Sequence, residues 1–172
     1  MEYLYFWRKF WGHSNDDVVD SVTGLTGREI KLVQSTWAIV RKDPVASGIA
    51  IMSGFFKHYP EYQAFFPAFK DIPHKDLPEN KKFQAHALNV VTALNSTVDA
   101  LTDVGLLEAT LISLGERHGR RGQTTQQFLH LKQVVIDVLR QSLGNKFTQE
   151  AENAWIKTID AAYSYIFKGL SS

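Results

Sequence analysis

Apolar positions recur at helical spacing over six stretches of the chain. Ile30, Val33, Trp37 and Val40 share one face, and just ahead of them Thr26 and Glu29 have the spacing of a capping box, with Leu25 and Ile30 placed for a hydrophobic staple. Asp43-Pro44 reads as an N-cap followed by proline at the first helical position, opening a helix through Ile49, Met52 and Phe56 that stops before Pro60. Pro60, Pro67, Pro73 and Pro78 then forbid one long helix. Short turns carrying buried Phe65, Phe66 and Phe69 are expected there instead. Phe83, Ala87, Val90, Val91 and Leu94 form one apolar face of a helix running to about Leu101. Leu107, Leu111 and Leu114 predict another between Asp103 and Gly119. Thr124 and Gln127 repeat the capping-box spacing and lead Phe128, Leu131, Val135, Val138 and Leu139 toward Gly144 as a stop signal. The last helix follows Thr148 and aligns Ala151, Trp155, Ile159, Ala162 and Ile166. No strand alternation, hairpin signal or internal repeat is present, so the chain reads as all-α. An aromatic, proline-rich corner argues for a compact helical domain rather than a four-helix bundle with short turns.

Ahead of Leu25 the pattern changes. Tyr3, Phe6, Trp7, Phe10 and Trp11 make an aromatic stripe with Arg8 and Lys9 beside it, and the polar segment Gly12 to Asp20 separates this head from the first well-signalled helix. Residues 1–24 are therefore read as an N-terminal extension, a candidate amphipathic helix, and residues 25–172 as the domain. The stripe Tyr3–Trp11 suits a membrane interface. It is short and carries only two cations, so folding back onto the domain or pairing between copies is the favoured reading. Glu2 in place of glycine excludes N-myristoylation. The uncharged run Tyr3 to Trp7 falls short of the roughly 7–15 residue apolar core of a secretory signal, and no window approaches the ~20 apolar residues of a membrane span. A cytoplasmic protein is expected.

With 172 residues, 44% of them hydrophobic, the chain has enough for one domain with a sizeable core and is short for two. Its 19 Lys and Arg against 18 Asp and Glu leave a net charge of +1, which supplies no global field to recruit nucleic acid. The absence of cysteine removes disulfides, thiolate metal sites and thiol nucleophiles together and suits a reducing compartment.

Two imidazoles interrupt apolar faces. His86 lies within the face that begins at Phe83, and His118 continues the row of Leu107, Leu111 and Leu114. Either one alone reads as a core imidazole bonded to backbone carbonyls; two together point to a shared ligand. Their separation of 32 residues matches no compact zinc spacing, and no Asp or Glu lies beside them on those faces to complete a hydrolytic site. A flat, mostly apolar cofactor that carries its own metal ligands needs only axial donors from the protein, and neutral imidazole is the usual one for haem iron. His13, His58, His74 and His130 share no apolar cluster with a second candidate ligand and read as surface or edge residues.

The run FFKHYPEYQAFFPAFKD, with Pro60 opening a turn and Phe66 and Phe69 three apart, resembles the corner between the second and fifth helices of globins. AHALNVVTALN resembles their distal helix and LISLGERHGRRG their proximal helix; with Trp37 the likeness covers about residues 25–170. KLVQSTWAIVRKD and IDVLRQSLG are further similar to the intracellular haemoglobins of insects. The resemblance implies an all-α globin fold of six to eight helices around a haem pocket, following an N-terminal extension, with haem b (iron protoporphyrin IX) as cofactor. It implies His118 as the proximal ligand of the iron and His86 as the distal residue. Phe66 would stack on the porphyrin with Phe69 beside it, Met52 would reach the distal side, Val90 would pack one turn beyond His86, and Leu114 would lie under the ring on the proximal side. The second ring nitrogen of His118 is expected to donate to a backbone carbonyl, with Leu114 the candidate.

O2, CO and NO are the implied ligands, and the implied function is reversible O2 binding at ferrous iron for intracellular storage, facilitated diffusion or sensing. The alternative is direct ligation by His86, a bis-histidine hexacoordinate redox globin acting as a nitric oxide dioxygenase, electron carrier or redox sensor. No flavin or nicotinamide domain fits in this chain, so a dioxygenase would need a separate reductase. Spacing leaves both readings open, as it does monomer or homodimer. Two features depart from the family pattern. The interval between the histidines is a few residues longer than in vertebrate myoglobin-like chains, which predicts an extended connection after Leu101. Gly119 to Gly122 lack the histidine often found near the propionates. Arg120 or Arg121 is a candidate propionate partner, with a solvated helix end as the equal alternative.

Overall fold

The structure, a computed structural model, describes residues 15–172; the aromatic stripe Tyr3–Trp11 and His13 lie outside the described residues. Among the described residues there are six α-helices: α1 (Gly27–Val40), α2 (Pro44–His58), α3 (Lys81–Asp99), α4 (Val104–Gly119), α5 (Thr125–Leu143) and α6 (Gln149–Leu170). The ends follow the local chemistry. Thr26 Oγ1 accepts from the Glu29 N–H at 3.2 Å while Glu29 Oε2 accepts from the Thr26 N–H at 2.8 Å, closing the capping box of α1. Asp43 caps α2 through the Ala46 N–H, and Gln127 Oε1 accepts the Thr124 N–H at 2.8 Å at the start of α5. Gly144 ends α5 with φ of 52°, a backbone region that disfavours side chains.

Two boundaries differ from the sequence reading. Asn80 accepts the Lys82 and Phe83 N–H groups, so α3 begins ahead of its apolar row. The connection from α3 to α4 is only residues 100–103, because Asp103 caps α4 at once through the Leu106 N–H. The extended connection expected after Leu101 is therefore not present.

Between α2 and α3 the prolines give two 3₁₀ turns, Pro60–Phe65 and His74–Glu79. Gln63 Nε2 gathers the corner by donating to Phe69 O at 2.9 Å and Ile72 O at 2.8 Å. Phe66 and Phe69 stack with centroids 5.2 Å apart and face inward. Phe65, expected to be buried with them, is 45% exposed. The period of three that aligns Phe66 with Phe69 puts Phe65 on another side of the chain.

Before α1 the chain docks on that helix. Asp16 meets Lys31 Nζ at 2.7 Å, Asp17 meets Arg28 at 3.2 Å, and one antiparallel bridge joins Val19 to Thr26. Thr23 and Leu25 are buried. One core lies among α1, α3, α4, α5 and α6, with Ile51 reaching in from α2 and with Trp37 and Trp155 edge to face at 5.6 Å. A second joins Met52, Phe55, Phe56, Phe69, Phe83 and Ala87. Val90, Leu131 and Val138 touch both.

α2 and α3 cross backbone to backbone at Gly48, where a Cβ would lie 2.3 Å from Ala87 O. Gly48→Ala is expected to destabilise the fold by about 1–3 kcal/mol through overpacking. Urea denaturation checks this, since a loss well under 1 kcal/mol would mean the crossing gives way freely.

Candidate functional site

α3 and α4 make few contacts with each other, and their facing flanks border two adjoining cavities of about 490 Å³ each. Both are within the size range of small-molecule sites, roughly 300–1,000 Å³. The first lies among α3, α4, α5 and α6 and reaches Leu111, Leu114, Trp155 and Ile159; the second is bounded by Met52, Phe66 and Phe69 from α2 and the corner. His86, Val90, His118, Arg121, Phe128 and Leu131 line both.

His118 sits in the last turn of α4, half-buried, with its edge toward Phe128 at 5.3 Å. Its Nδ1 donates to Leu114 O at 2.8 Å, the i to i−4 carbonyl of its own helix. A carbonyl can only accept, so in the neutral ring Nδ1 carries the proton and Nε2 keeps a free lone pair. Burial lowers the His118 pKa; the Leu114 bond opposes that shift, and the charges of Arg121 and Arg117 add to it.

His86, on α3, is half-buried under the corner, 4.8 Å from Phe66 and 5.9 Å from Phe69 by ring centroids. Among the described residues no protein group hydrogen-bonds its ring. Burial, then the charges of His118 and Arg121, push its pKa down to about 4, so it is neutral near pH 7. Two neutral imidazoles on opposite helices thus border the same space, walled mainly by apolar and aromatic side chains, with Asn89 and Arg121 as polar members of both cavities.

Besides the two histidines, the structure brings together the apolar residues expected around the cofactor: Met52 and Phe69 are buried, and Phe66, Val90 and Leu114 are half-buried along these two cavities. Of the two arginines, Arg121 lines both cavities and Arg120 borders neither. The other described histidines lie elsewhere. His58 and His74 are exposed, and His74 Nε2 donates to Ser53 O. His130 stacks on Tyr59 at 4.0 Å and pairs with Tyr62 Oη at 2.9 Å.

Sequence reasoning missed Phe128 and Leu131 as cavity walls, since their row reads equally well as plain core. It also missed Gln123, whose Oε1 is buried beside the second cavity with no partner among the described residues. A glutamine beyond a helix end carries no periodicity signal. Pairing it with the cavity requires the fold.

The globin family model matches residues 49–166, more than half of the chain and including both histidines. Cytoglobin-2 of Danio rerio is 27% identical over 144 residues, covering 83% of this chain and 80% of that protein. The hexa-coordinate haemoglobin of Drosophila melanogaster, solved in work on cyanide binding and haem cavity transitions, superposes with a TM-score of 0.78 at 28% identity, over 84% of this chain and 94% of its own. Haemoglobin of the botfly Gasterophilus intestinalis superposes with a TM-score of 0.78 at 25% identity, over 84% and 98% respectively. The family model spans most of the described helical frame, and the solved relatives share that frame: the chain belongs to the globin family, and membership implies haem binding.

Proposed function

We propose that this globin holds haem b between His118 and His86 and binds O2 reversibly, with His118 as the iron's proximal ligand and His86 competing with the gas for the opposite position. One observation carries the reading: two neutral imidazoles border the same cavities, and His118 is held by Leu114 with its Nε2 lone pair uncommitted. The residues present fit the group. The walls are apolar enough for a flat macrocycle, Arg121 at the mouth suits a propionate, and the buried amide of Gln123 lacks a protein partner on the same cavity. An amide flip presents its N–H2 group to a carboxylate.

His118 and His86 would hold a haem bound there, and its iron would supply the chemistry that takes up diatomic gases. Leu114 O raises the basicity of His118 and fixes the ring's orientation. Met52, Phe66 and Phe69 exclude water from the distal side. His86 has two uses. Its lone pair can close the site, which lowers apparent gas affinity by the fraction of closed sites; swung aside, its N–H can donate to the ligand, worth roughly 1–2 kcal/mol. Residues 25–172 form the globin domain in this reading, and the protein works in the cytoplasm in O2 storage, facilitated diffusion or sensing.

That no group among the described residues hydrogen-bonds the His86 ring also supports a second reading. A tightly closed bis-histidine iron would serve electron transfer or nitric oxide dioxygenation with a separate reductase. CO mixing with the reduced protein distinguishes them. Under competition the association rate levels off with rising CO, and His86→Leu makes it linear. A rate linear in CO and unaltered by His86→Leu would contradict a competing role. A plateau reached on the scale of seconds favours the redox reading.

Acid should act late. Because burial keeps the His86 ring of the haem-free protein neutral down to about pH 4, its imidazole proton resonances are expected to hold from pH 8 to 5.5 and to move only toward pH 4. Arg121 and His118 face the ring and act in the same direction. A transition centred near 6.5 would mean the imidazole is solvated.

A further inference from the structure

α4, which carries His118, meets α6 at backbone distance. A Cβ built on Gly115 would lie 2.1 Å from Ile166 O, and one on Gly169 would lie 2.1 Å from Ile112 O and 2.8 Å from Glu116 N. A Cβ on Gly119 would be 2.8 Å from Leu170 O. All fall below the 3.0 Å that real Cβ atoms keep. The two helices therefore touch through glycine Cα–H groups facing each other's carbonyls. The contact is reciprocal, Gly115 on α4 against Gly169 on α6. Gly105, at the start of the same α4, has only Asp103 Oδ1 near, at 3.7 Å.

At 3.6 residues per turn, Ile112, Gly115, Glu116 and Gly119 share the flank of α4 that faces α6, while Leu114 and His118 lie on the flank toward the cavity. On the other side of that cavity, Ala87, next to His86, is fastened to α2 at Gly48. Each imidazole is thus mounted within three residues of a glycine contact that permits no slack. The gap between them is set by how closely α4 lies on α6 and α3 on α2.

We infer that Gly169 is a positioning residue for His118: by letting α4 seat on the backbone of α6, it sets how far the proximal imidazole stands into the cavity and how near it comes to His86. The inference rests on His118 being the iron ligand. Ordinary contact begins at 3.4 Å against the 2.1 Å found, so a methyl group at position 169 requires α4 to back away by about 1.3 Å. His118 is then carried toward α3, and His86 closes the iron more readily.

The test is Gly169→Ala in the haem-loaded full chain, with Gly105→Ala as a control glycine on α4 and Gly119→Ala as a softer intrusion into the same contact. Crystal structures read the α4 to α6 separation. Resonance Raman of the reduced protein reads the iron–histidine stretch after CO photolysis, and CO mixing reads competition by His86. Gly169→Ala is expected to widen the helix contact, shift the stretch and raise closure by His86 by up to ~100-fold, the scale that ångström misplacements carry at reacting centres. Gly105→Ala should match the parent. If Gly169→Ala folds and loads haem with stretch and competition unchanged, the glycine only packs and the inference fails. If it does not fold, Gly119→Ala decides, a smaller shift in the same direction supporting the inference and parent behaviour overturning it. A parent protein without an iron–histidine stretch dependent on His118 would overturn the haem reading and this inference with it.

Discussion

His118→Ala is expected to lose haem at least ~100-fold faster than the parent, because in the proposed site it would delete the protein bond to the metal rather than one of its supports, whose loss alone typically costs 10–100-fold. The rest of the site cannot compensate. In the proposed site Phe128, Leu131 and Leu114 would hold the ring by apolar contact only, and among the described residues His86 has no carbonyl partner of the kind that Leu114 gives His118. Transfer of haem to an excess of an apo-globin acceptor measures the rate. His86→Ala, by contrast, should retain haem and change gas kinetics. Retention by His118→Ala with loss by His86→Ala would mean that the two roles are exchanged.

Trp155→Ala is expected to destabilise the fold by about 3–5 kcal/mol, the range for deleting a fully buried aromatic. Trp155 is 1% exposed, meets Trp37 edge to face at 5.6 Å, and donates from Nε1 to Thr36 Oγ1 at 2.9 Å. That bond ties α6 to α1 across 119 positions of sequence. Thr36 still donates to Leu32 O after the change, so the lost area and the new cavity dominate over an orphaned hydroxyl. Against a typical total of about 5–15 kcal/mol, the loss removes a large part of the stability. Urea denaturation of the haem-loaded protein gives the number. A cost under about 1.5 kcal/mol would mean that the first cavity, which Trp155 lines, collapses to fill the space.

Helix starts were legible because they are local chemistry. Thr26 with Glu29 and Thr124 with Gln127 bond across one turn, and Asp43 accepts the Ala46 N–H just past Pro44, which has no N–H to satisfy, so four residues of sequence contain the whole interaction. The paired histidines were legible for a similar reason: a polar ring in an apolar row is visible against its own helix. Phe65 was misread because aromatic residues between prolines give no period to say which one turns outward. The spacing between His86 and His118 was placed in a connection when it lies in the helices, since the cap at Asp103 starts α4 at once. Gln123 and Gly169 were invisible. Their meaning lies in what stands opposite, a cavity in one case and Ile112 O in the other, and no pattern along one segment encodes a distance to another.

The central claim is that one haem iron lies between His118 and His86. The visible spectrum of the haem-loaded protein, reduced with dithionite and then exposed to CO, tests it most directly. Two sharp bands before CO, replaced by a carbonyl spectrum afterwards, are the predicted result: a low-spin iron closed by His86 that gas can open. A single broad band before CO would contradict closure by His86, and a spectrum of unligated haem would contradict the site itself.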